Sequence, residues 1–147
     1  IVDLLRNDLA KISGNVSVSC FRYIEKIKTH EKEILQVSSE IKGTLRPDYH
    51  ERIGSLIYDL LPAGSVSGAP KQKTLEIIRE AEEDERGFYT GIAGFFDGSS
   101  LESAVLIRYI EEINHQLFFR SGGGITLDSD PEKEYQELKD KIYVPIA

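Results

Sequence analysis

The 147-residue sequence contains no methionine, no tryptophan and a single cysteine, Cys20. One cysteine excludes an internal disulfide and is typical of proteins in a reducing compartment, so we expect a cytoplasmic protein. No apolar run approaches the roughly 20 residues that a transmembrane helix needs, so membrane insertion is not expected. The absence of methionine indicates a chain that has lost its initiator or begins within a longer polypeptide, and truncation is expected.

Basic residues are fewer than acidic ones. The chain has 18 lysines and arginines and 25 acidic residues, which gives a net charge of −7. Nucleic acid and anionic membranes are therefore not expected as partners, since both bind basic surfaces. An anionic small ligand would have to be bound by a local group of cations and N–H donors. The length is sufficient for the hydrophobic core of one domain, or for part of one.

Apolar spacing divides the sequence into helical and extended segments. Helical periodicity predicts helices over residues 1–9, 53–61, from Pro70 to about Asp84, and after an N-cap at Ser129 or Asp130. Extended patterns predict a strand over 33–45 and an antiparallel meander over 88–96, 101–110 and 116–120. The predicted fold class is α+β, with an antiparallel sheet and helices packed on its outer face.

Arg108 lies in the middle run of the predicted meander, where both faces consist largely of apolar residues. We therefore expect a buried guanidinium. Burying this group without a partner is costly, so it would pair with a fixed anion. The anion can be a protein carboxylate, giving a structural ion pair, or a ligand.

Residues 61–71, Leu-Pro-Ala-Gly-Ser-Val-Ser-Gly-Ala-Pro-Lys, combine turn-forming residues with the start of a helix. Gly64 and Gly68 permit unusual backbone angles or close approach of a ligand, and Pro70 suits the first position of a helix. The N–H groups at a helix start can bind a carboxylate or phosphate. The spacing does not match a Walker loop. The alternative interpretation is a turn that links two helices.

Two further patterns near the end of the chain indicate binding chemistry. Gly122–Gly124 follow a predicted strand and expose N–H groups, although a flexible surface turn has the same composition. On the last helix, Glu134, Glu137 and Lys141 share one face. Two carboxylates one turn apart can provide oxygen ligands for Mg²⁺, although such pairs also occur on solvated surfaces.

Four ordered motifs together resemble the family of chorismate-utilising enzymes over almost the whole chain. They are residues 3–9 (Asp-Leu-Leu-Arg-Asn-Asp-Leu), 64–71, 86–94 (Arg-Gly-Phe-Tyr-Thr-Gly-Ile-Ala-Gly), and 122–125 with 128–135. The resemblance implies that residues 1–147 are the C-terminal part of a chorismate-binding catalytic domain with a two-sheet fold. It places the family's lysine-bearing catalytic segment and one further metal-binding glutamate upstream, since Ile41-Lys42-Gly43-Thr44 matches a strand position instead. No catalytic residue is expected in this chain, which should be inactive alone.

The resemblance also assigns roles to individual positions. Those that would bind the substrate are Ser67, Gly68, Tyr89, Arg108, Gly122, Gly123, Gly124 and Lys141. Those that would bind Mg²⁺ are Glu134 and Glu137. A doubly charged substrate in an acidic protein needs such a concentration of cations and N–H groups.

Gln36 stands where many relatives have a histidine, and this resembles the subgroup that aminates chorismate to 4-amino-4-deoxychorismate for 4-aminobenzoate and folate biosynthesis. A glutamine amidotransferase subunit would supply the ammonia. The alternatives are an anthranilate-forming member of the family and a non-catalytic module that binds a small carboxylate or another subunit. Apolar strand surface left uncovered in a partial domain would favour self-association.

Overall fold

The computed structural model describes residues 1–28, 33–142 and 144. Within these ranges the chain forms four α-helices and six strands. It divides into two compact units. The first comprises the described part of Ile1–Glu85 together with Phe95–Glu102, and the second comprises residues 86–94 and the described residues from 103 onward.

The first unit is built around a long antiparallel ribbon. Strand β1 (Gly14–Lys28) pairs with β2 (Glu33–Thr44), with irregularities in register before Tyr23. Helix α1 (Val2–Ile12) contacts both strands and also α2 (Ile53–Leu60). A single 3₁₀ turn, Gly64–Val66, leads towards α3 (Lys71–Ala81).

Three elements of the second unit position its candidate site. Strands β5 (Tyr109–Ile113) and β6 (Gln116–Arg120) form an antiparallel hairpin. Its two connecting residues, Asn114 and His115, have φ values of 51° and 63°, the left-handed conformation that tight hairpin turns require. The last helix is α4 (Pro131–Asp140), where the Asp130 side chain caps the amides of Glu132 and Lys133.

A further short hairpin consists of β3 (Ile92–Phe96) and β4 (Leu101–Val105). The carboxylate of Asp97 fixes the turn between these strands. It accepts hydrogen bonds from the backbone N–H groups of Ser99 and Ser100 at 2.8 and 2.7 Å. These bonds lower the pKa of Asp97, since they stabilise its charged form.

The α+β class with antiparallel strands is confirmed, as are the four helices and the strand that begins at Glu33. The Ile41–Thr44 tetrapeptide lies in β2, as expected. The three-stranded meander is wrong for the described residues, because the predicted middle strand 101–110 is divided between β4 and β5. Strand β1 was not predicted.

Side-chain burial also differs from the sequence prediction. No hydrophobic side chain of the described residues is buried, and Ile107 and Ile110 of the predicted middle strand are 44% and 45% exposed. The expectation that both faces of this run are buried is therefore wrong. The sheets in the described residues have two strands each, and such ribbons cover neither face without further layers. Among the described helices, none has the length and apolar character to cross a bilayer.

Candidate functional site

The glycine run of the second unit begins two residues after β6 ends, and it lies against Tyr89. A β-carbon added to Gly122 would be 2.0 Å from the Tyr89 phenol oxygen, whereas a β-carbon on Gly124 would have no neighbour within 4 Å. Tyr89 itself lies in a turn in which the Tyr89 N–H donates to the Arg86 carbonyl at 2.9 Å. The guanidinium of Arg86 stands 5.9 Å from the centre of the Tyr89 ring. This turn therefore places the tyrosine hydroxyl directly at the glycine backbone.

Helix α4 and its C-cap residue Lys141 contribute charged side chains next to the glycine run. Lys141 Nζ donates to the Gly122 carbonyl at 3.5 Å and forms an ion pair with Glu137 at 2.5 Å. One oxygen of Glu134 accepts a hydrogen bond from Ser129 at 2.7 Å, and the other would be 3.6 Å from a β-carbon on Gly123. Glu134 of α4 and its C-cap residue Lys141 thus lie next to the glycine run.

These groups suit a small anion accompanied by a divalent cation. Glu134 is half-buried and Glu137 is exposed. The two carboxylates lie one helical turn apart on the same side of α4, and Mg²⁺ commonly takes one or two protein carboxylates and completes its shell with water and substrate oxygens. No group of three or more His, Cys, Asp or Glu side chains that could hold a metal ion occurs within residues 1–28, 33–142 and 144. The two glutamates could supply two oxygen ligands of such a cation.

Arg108 has a different environment from the one predicted. It lies between β4 and β5, it is exposed, and its backbone φ is 55°. The prediction of a buried guanidinium is wrong, because the left-handed conformation at this residue interrupts the strand and ends the alternation that would have buried the side chain. Its role in binding substrate stays a prediction.

Two hydroxyls next to the predicted site residues were not singled out from the sequence. Tyr109 and Ser121 each carry a buried hydroxyl oxygen without a hydrogen-bond partner. Burial raises the pKa of Tyr109, and the nearby Glu111 carboxylate raises it further. Arg120 Nε in turn forms an ion pair with Glu111 at 2.6 Å. The one sequence signal for these residues is their position, because Tyr109 follows Arg108 and Ser121 precedes Gly122. Tyrosine and serine are otherwise too common to single out.

Ser67 and Gly68 belong to the first unit. The Ser67 hydroxyl lies 3.1 Å from the Ala63 carbonyl and 3.4 Å from the Gly64 carbonyl, within hydrogen-bonding reach of both. Gly68 has a φ of 150°, and a β-carbon there would be 2.8 Å from the Thr74 side chain, so this position requires glycine. The second unit brings together most of the other predicted site residues. They are Tyr89, Gly122, Gly123, Glu134, Glu137 and Lys141.

Residues 1–147 match the family described as chorismate binding enzyme. The chain belongs to this family. It is 59% identical over its whole length to an uncharacterized PabA-like protein of Pasteurella multocida (strain Pm70), of which it covers 45%. It is 53% identical over 99% of its length to an uncharacterized PabA-like protein of Haemophilus influenzae (strain Rd), of which it covers 44%. The chain therefore spans less than half of the length of these relatives.

More distant relatives and a solved structure agree with this assignment. The chain is 38% identical over 97% of its length to aminodeoxychorismate synthase component 1 of Bacillus subtilis (strain 168), covering 30% of that protein. A crystal structure described as a 2,3-dihydroxybenzoate-specific isochorismate synthase of Bacillus anthracis superimposes with a TM-score of 0.76 at 27% identity. That match covers 95% of this chain and 36% of the solved chain. The α+β architecture is thus the chorismate-binding fold.

Proposed function

We propose that this chain forms part of the substrate pocket of an enzyme that aminates chorismate to 4-amino-4-deoxychorismate, in 4-aminobenzoate and folate biosynthesis. A glutamine amidotransferase partner would deliver the ammonia. The strongest support is that one unit of this member of the chorismate-binding family brings several suitable groups together. They are Tyr89, the Gly122 backbone, Lys141 and Glu134. This group supplies donors, one cation and oxygen ligands for a metal.

The charge of each side chain determines the role that we propose for it. The Lys141 ammonium and the N–H groups of Gly122–Gly124 would bind one carboxylate of chorismate, and the Tyr89 hydroxyl would donate to the same group. Arg108 would bind from the connection between β4 and β5, where its exposed position leaves the guanidinium accessible. Glu134 and Glu137 would hold Mg²⁺, which when bound supplies a Lewis acid for a substrate oxygen.

The resemblance at Gln36 favours 4-amino-4-deoxychorismate as the product. The Gly-Ala-Pro-Lys ending of the glycine-serine loop favours the ammonia-using members of the family, which include anthranilate synthase. In this structure the Gln36 amide donates to the Ser38 hydroxyl at 3.1 Å on the exposed surface of β2. Sequence identity does not distinguish the two candidate reactions. Anthranilate synthase component 1 of Aeropyrum pernix is 38% identical to this chain, as is the aminodeoxychorismate synthase component of Bacillus subtilis. Anthranilate formation is therefore the second candidate, and a non-catalytic carboxylate-binding module is the third.

Calorimetry with chorismate, with and without Mg²⁺, tests the pocket. We expect Mg²⁺-dependent binding by the unmodified chain and at least about tenfold weaker binding by Arg108→Ala, the loss of about one charged hydrogen bond. Arg79→Ala, an exposed arginine on α3, is the matched control and should bind as the unmodified chain does. Equal weak binding in all three proteins would contradict the assignment.

Product analysis tests whether this chain turns over chorismate without a further catalytic segment. The family resemblance assigns no catalytic residue to this chain, so we expect no turnover of chorismate with ammonia and Mg²⁺. Formation of 4-amino-4-deoxychorismate would contradict the proposed dependence on a further catalytic segment. Anthranilate with release of pyruvate would favour the second candidate over the first.

A further inference from the structure

Asp8 differs from every other charged residue in the described part of the chain because it is buried, with 5% of its surface exposed. It lies on α1 and belongs to the Asp-Leu-Leu-Arg-Asn-Asp-Leu motif, to which the sequence assigned no role. A buried carboxylate must be compensated by donors or cations, so its partners indicate what it does.

Those partners come from both ends of the glycine-serine loop. At the start of the loop, the Gly64 N–H donates to Asp8 Oδ2 at 3.0 Å. At its end, Lys71 Nζ donates to both carboxylate oxygens, at 3.0 Å to Oδ1 and 3.2 Å to Oδ2. Lys11, on the same helix as Asp8, completes the set at 2.8 Å.

The fit at Gly64 is too close for a side chain. A β-carbon on this glycine would be 2.9 Å from Asp8 Oδ2 and 3.2 Å from Leu4 Cβ. The loop backbone thus approaches α1 directly, and only a glycine allows the amide to reach the carboxylate. Since Lys71 begins α3, the Asp8 carboxylate of α1 joins both the start of the loop and the first residue of α3.

We infer that Asp8 is a positioning residue that holds the loop from Gly64 to Gly68 in the conformation that borders the substrate. It acts through Gly64 and Lys71 and does not touch substrate itself. This inference rests on the proposed function only for the role in binding chorismate that the family resemblance assigns to Ser67 and Gly68. The anchoring of the loop by Asp8 is independent of it.

Amide hydrogen exchange of the full chain without chorismate tests the anchoring. Asp8→Asn keeps the shape of the side chain and removes its charge, and Lys71→Gln removes the anchor at the end of the loop. We expect each to accelerate exchange at residues 63–70 by roughly tenfold or more, with exchange in the β5–β6 hairpin unchanged. Lys71→Arg, which keeps the charge, should restore slow exchange.

Matched controls come from exposed ion pairs on the same two helices. Asp3→Asn removes a carboxylate of α1 that is 89% exposed, and Lys73→Gln removes an ammonium of α3 that is 65% exposed. Both should leave exchange at residues 63–70 unchanged. Unchanged loop exchange in Lys71→Gln, or equal acceleration throughout the chain, would overturn the inference even if Asp8→Asn fails to fold.

Chorismate affinity separates this inference from the proposed function. If the unmodified chain binds chorismate, Asp8→Asn and Lys71→Gln should weaken binding at least about tenfold, and the two exposed control variants should not. Faster amide exchange in the loop with unchanged affinity for chorismate would overturn the positioning role. If the unmodified chain binds no chorismate, the proposed function fails, and the exchange experiment still decides whether Asp8 anchors the loop.

Discussion

The phenol oxygen of Tyr89 occupies the space that a side chain on Gly122 would need, since a β-carbon there would be 2.0 Å away. The contact joins the turn that follows Arg86 to the backbone beyond β6. Gly124, two residues later, has open space beside it. Packing therefore requires glycine at position 122 but not at position 124.

Gly122→Ala should displace Tyr89 and disrupt the candidate site. The clash involves a rigid aromatic side chain, so we expect a loss of about 1 to 3 kcal/mol in stability and at least about tenfold weaker chorismate binding. Calorimetry and urea unfolding measure the two effects. Gly14→Ala is the control, since a β-carbon on this first residue of β1 would have no neighbour within 4 Å, and it should change affinity by less than about twofold. Equal behaviour of the two variants would argue against a role for the Tyr89 contact.

Removal of either α4 carboxylate should reduce the Mg²⁺ dependence of chorismate binding. Glu134→Gln and Glu137→Gln each keep the size of the side chain but remove a charged oxygen ligand, so we expect about a tenfold loss of affinity with Mg²⁺ and little change without it. Glu132→Gln, an exposed residue of the first turn of α4, is the control. A Mg²⁺ effect that survives in both variants would exclude this metal site.

The pH dependence of stability should report the Asp8 ion pairs. Burial raises the pKa of the Asp8 carboxyl, but the hydrogen bonds and charges of Lys11 and Lys71 outweigh burial and hold the pKa below its ordinary value of 3.8. A carboxyl with a lowered pKa stabilises the folded state above its ordinary pKa, and this contribution is lost as the pH falls through the lowered value. The free energy of unfolding should therefore decrease below about pH 4.

Urea unfolding between pH 2 and 7 measures this effect. Asp8→Asn should be less stable than the unmodified chain by about 2 kcal/mol at pH 7, and the difference should diminish at the acidic end. Asp3→Asn, on the exposed side of α1, should follow the unmodified chain throughout. A constant difference between Asp8→Asn and the unmodified chain would show that the carboxylate charge is not what stabilises the fold.

The exposed apolar surface of the β1–β2 ribbon should cause the isolated chain to self-associate. Ile24 and Val37 are cross-strand partners, and each is 66% exposed. Gel filtration should show species larger than a monomer, because contiguous exposed apolar surface favours association. Replacing both residues by threonine keeps β-branched side chains and should shift the population towards monomer. A monomer at all concentrations would refute this prediction.

The sequence predicted the helices well because each carries a continuous signal. Ile53, Leu56, Ile57 and Leu60 recur at helical spacing and lie in α2, and Asp130 caps α4 as one of the two predicted residues. Periodicity also located the second strand of the long ribbon. It missed β1, because residues 14–28 mix polar and apolar side chains on both faces of an exposed strand.

The site was less predictable where it depends on single backbone angles or on distant contacts. The left-handed Arg108 divides a run that alternates regularly in sequence, and nothing in the local pattern indicates the interruption. Asp8 and Lys71 are 63 residues apart, so no local pattern links them. The family motifs contain both residues, and this shared membership was the one available signal. Tyr89, Gly122 and Glu134 were found because their motifs were matched as a set.

The proposed function requires that the glycine run and α4 bind chorismate together with Mg²⁺. Amide chemical shifts of the isotopically labelled chain, recorded during titration with chorismate in the presence of Mg²⁺, test it most directly. We predict saturable shifts at Gly122, Gly123 and Gly124 and in α4 near Glu134, which are reduced when Mg²⁺ is removed. Shifts confined to other parts of the chain, or none at these residues at saturating chorismate, would show that chorismate does not bind at this site.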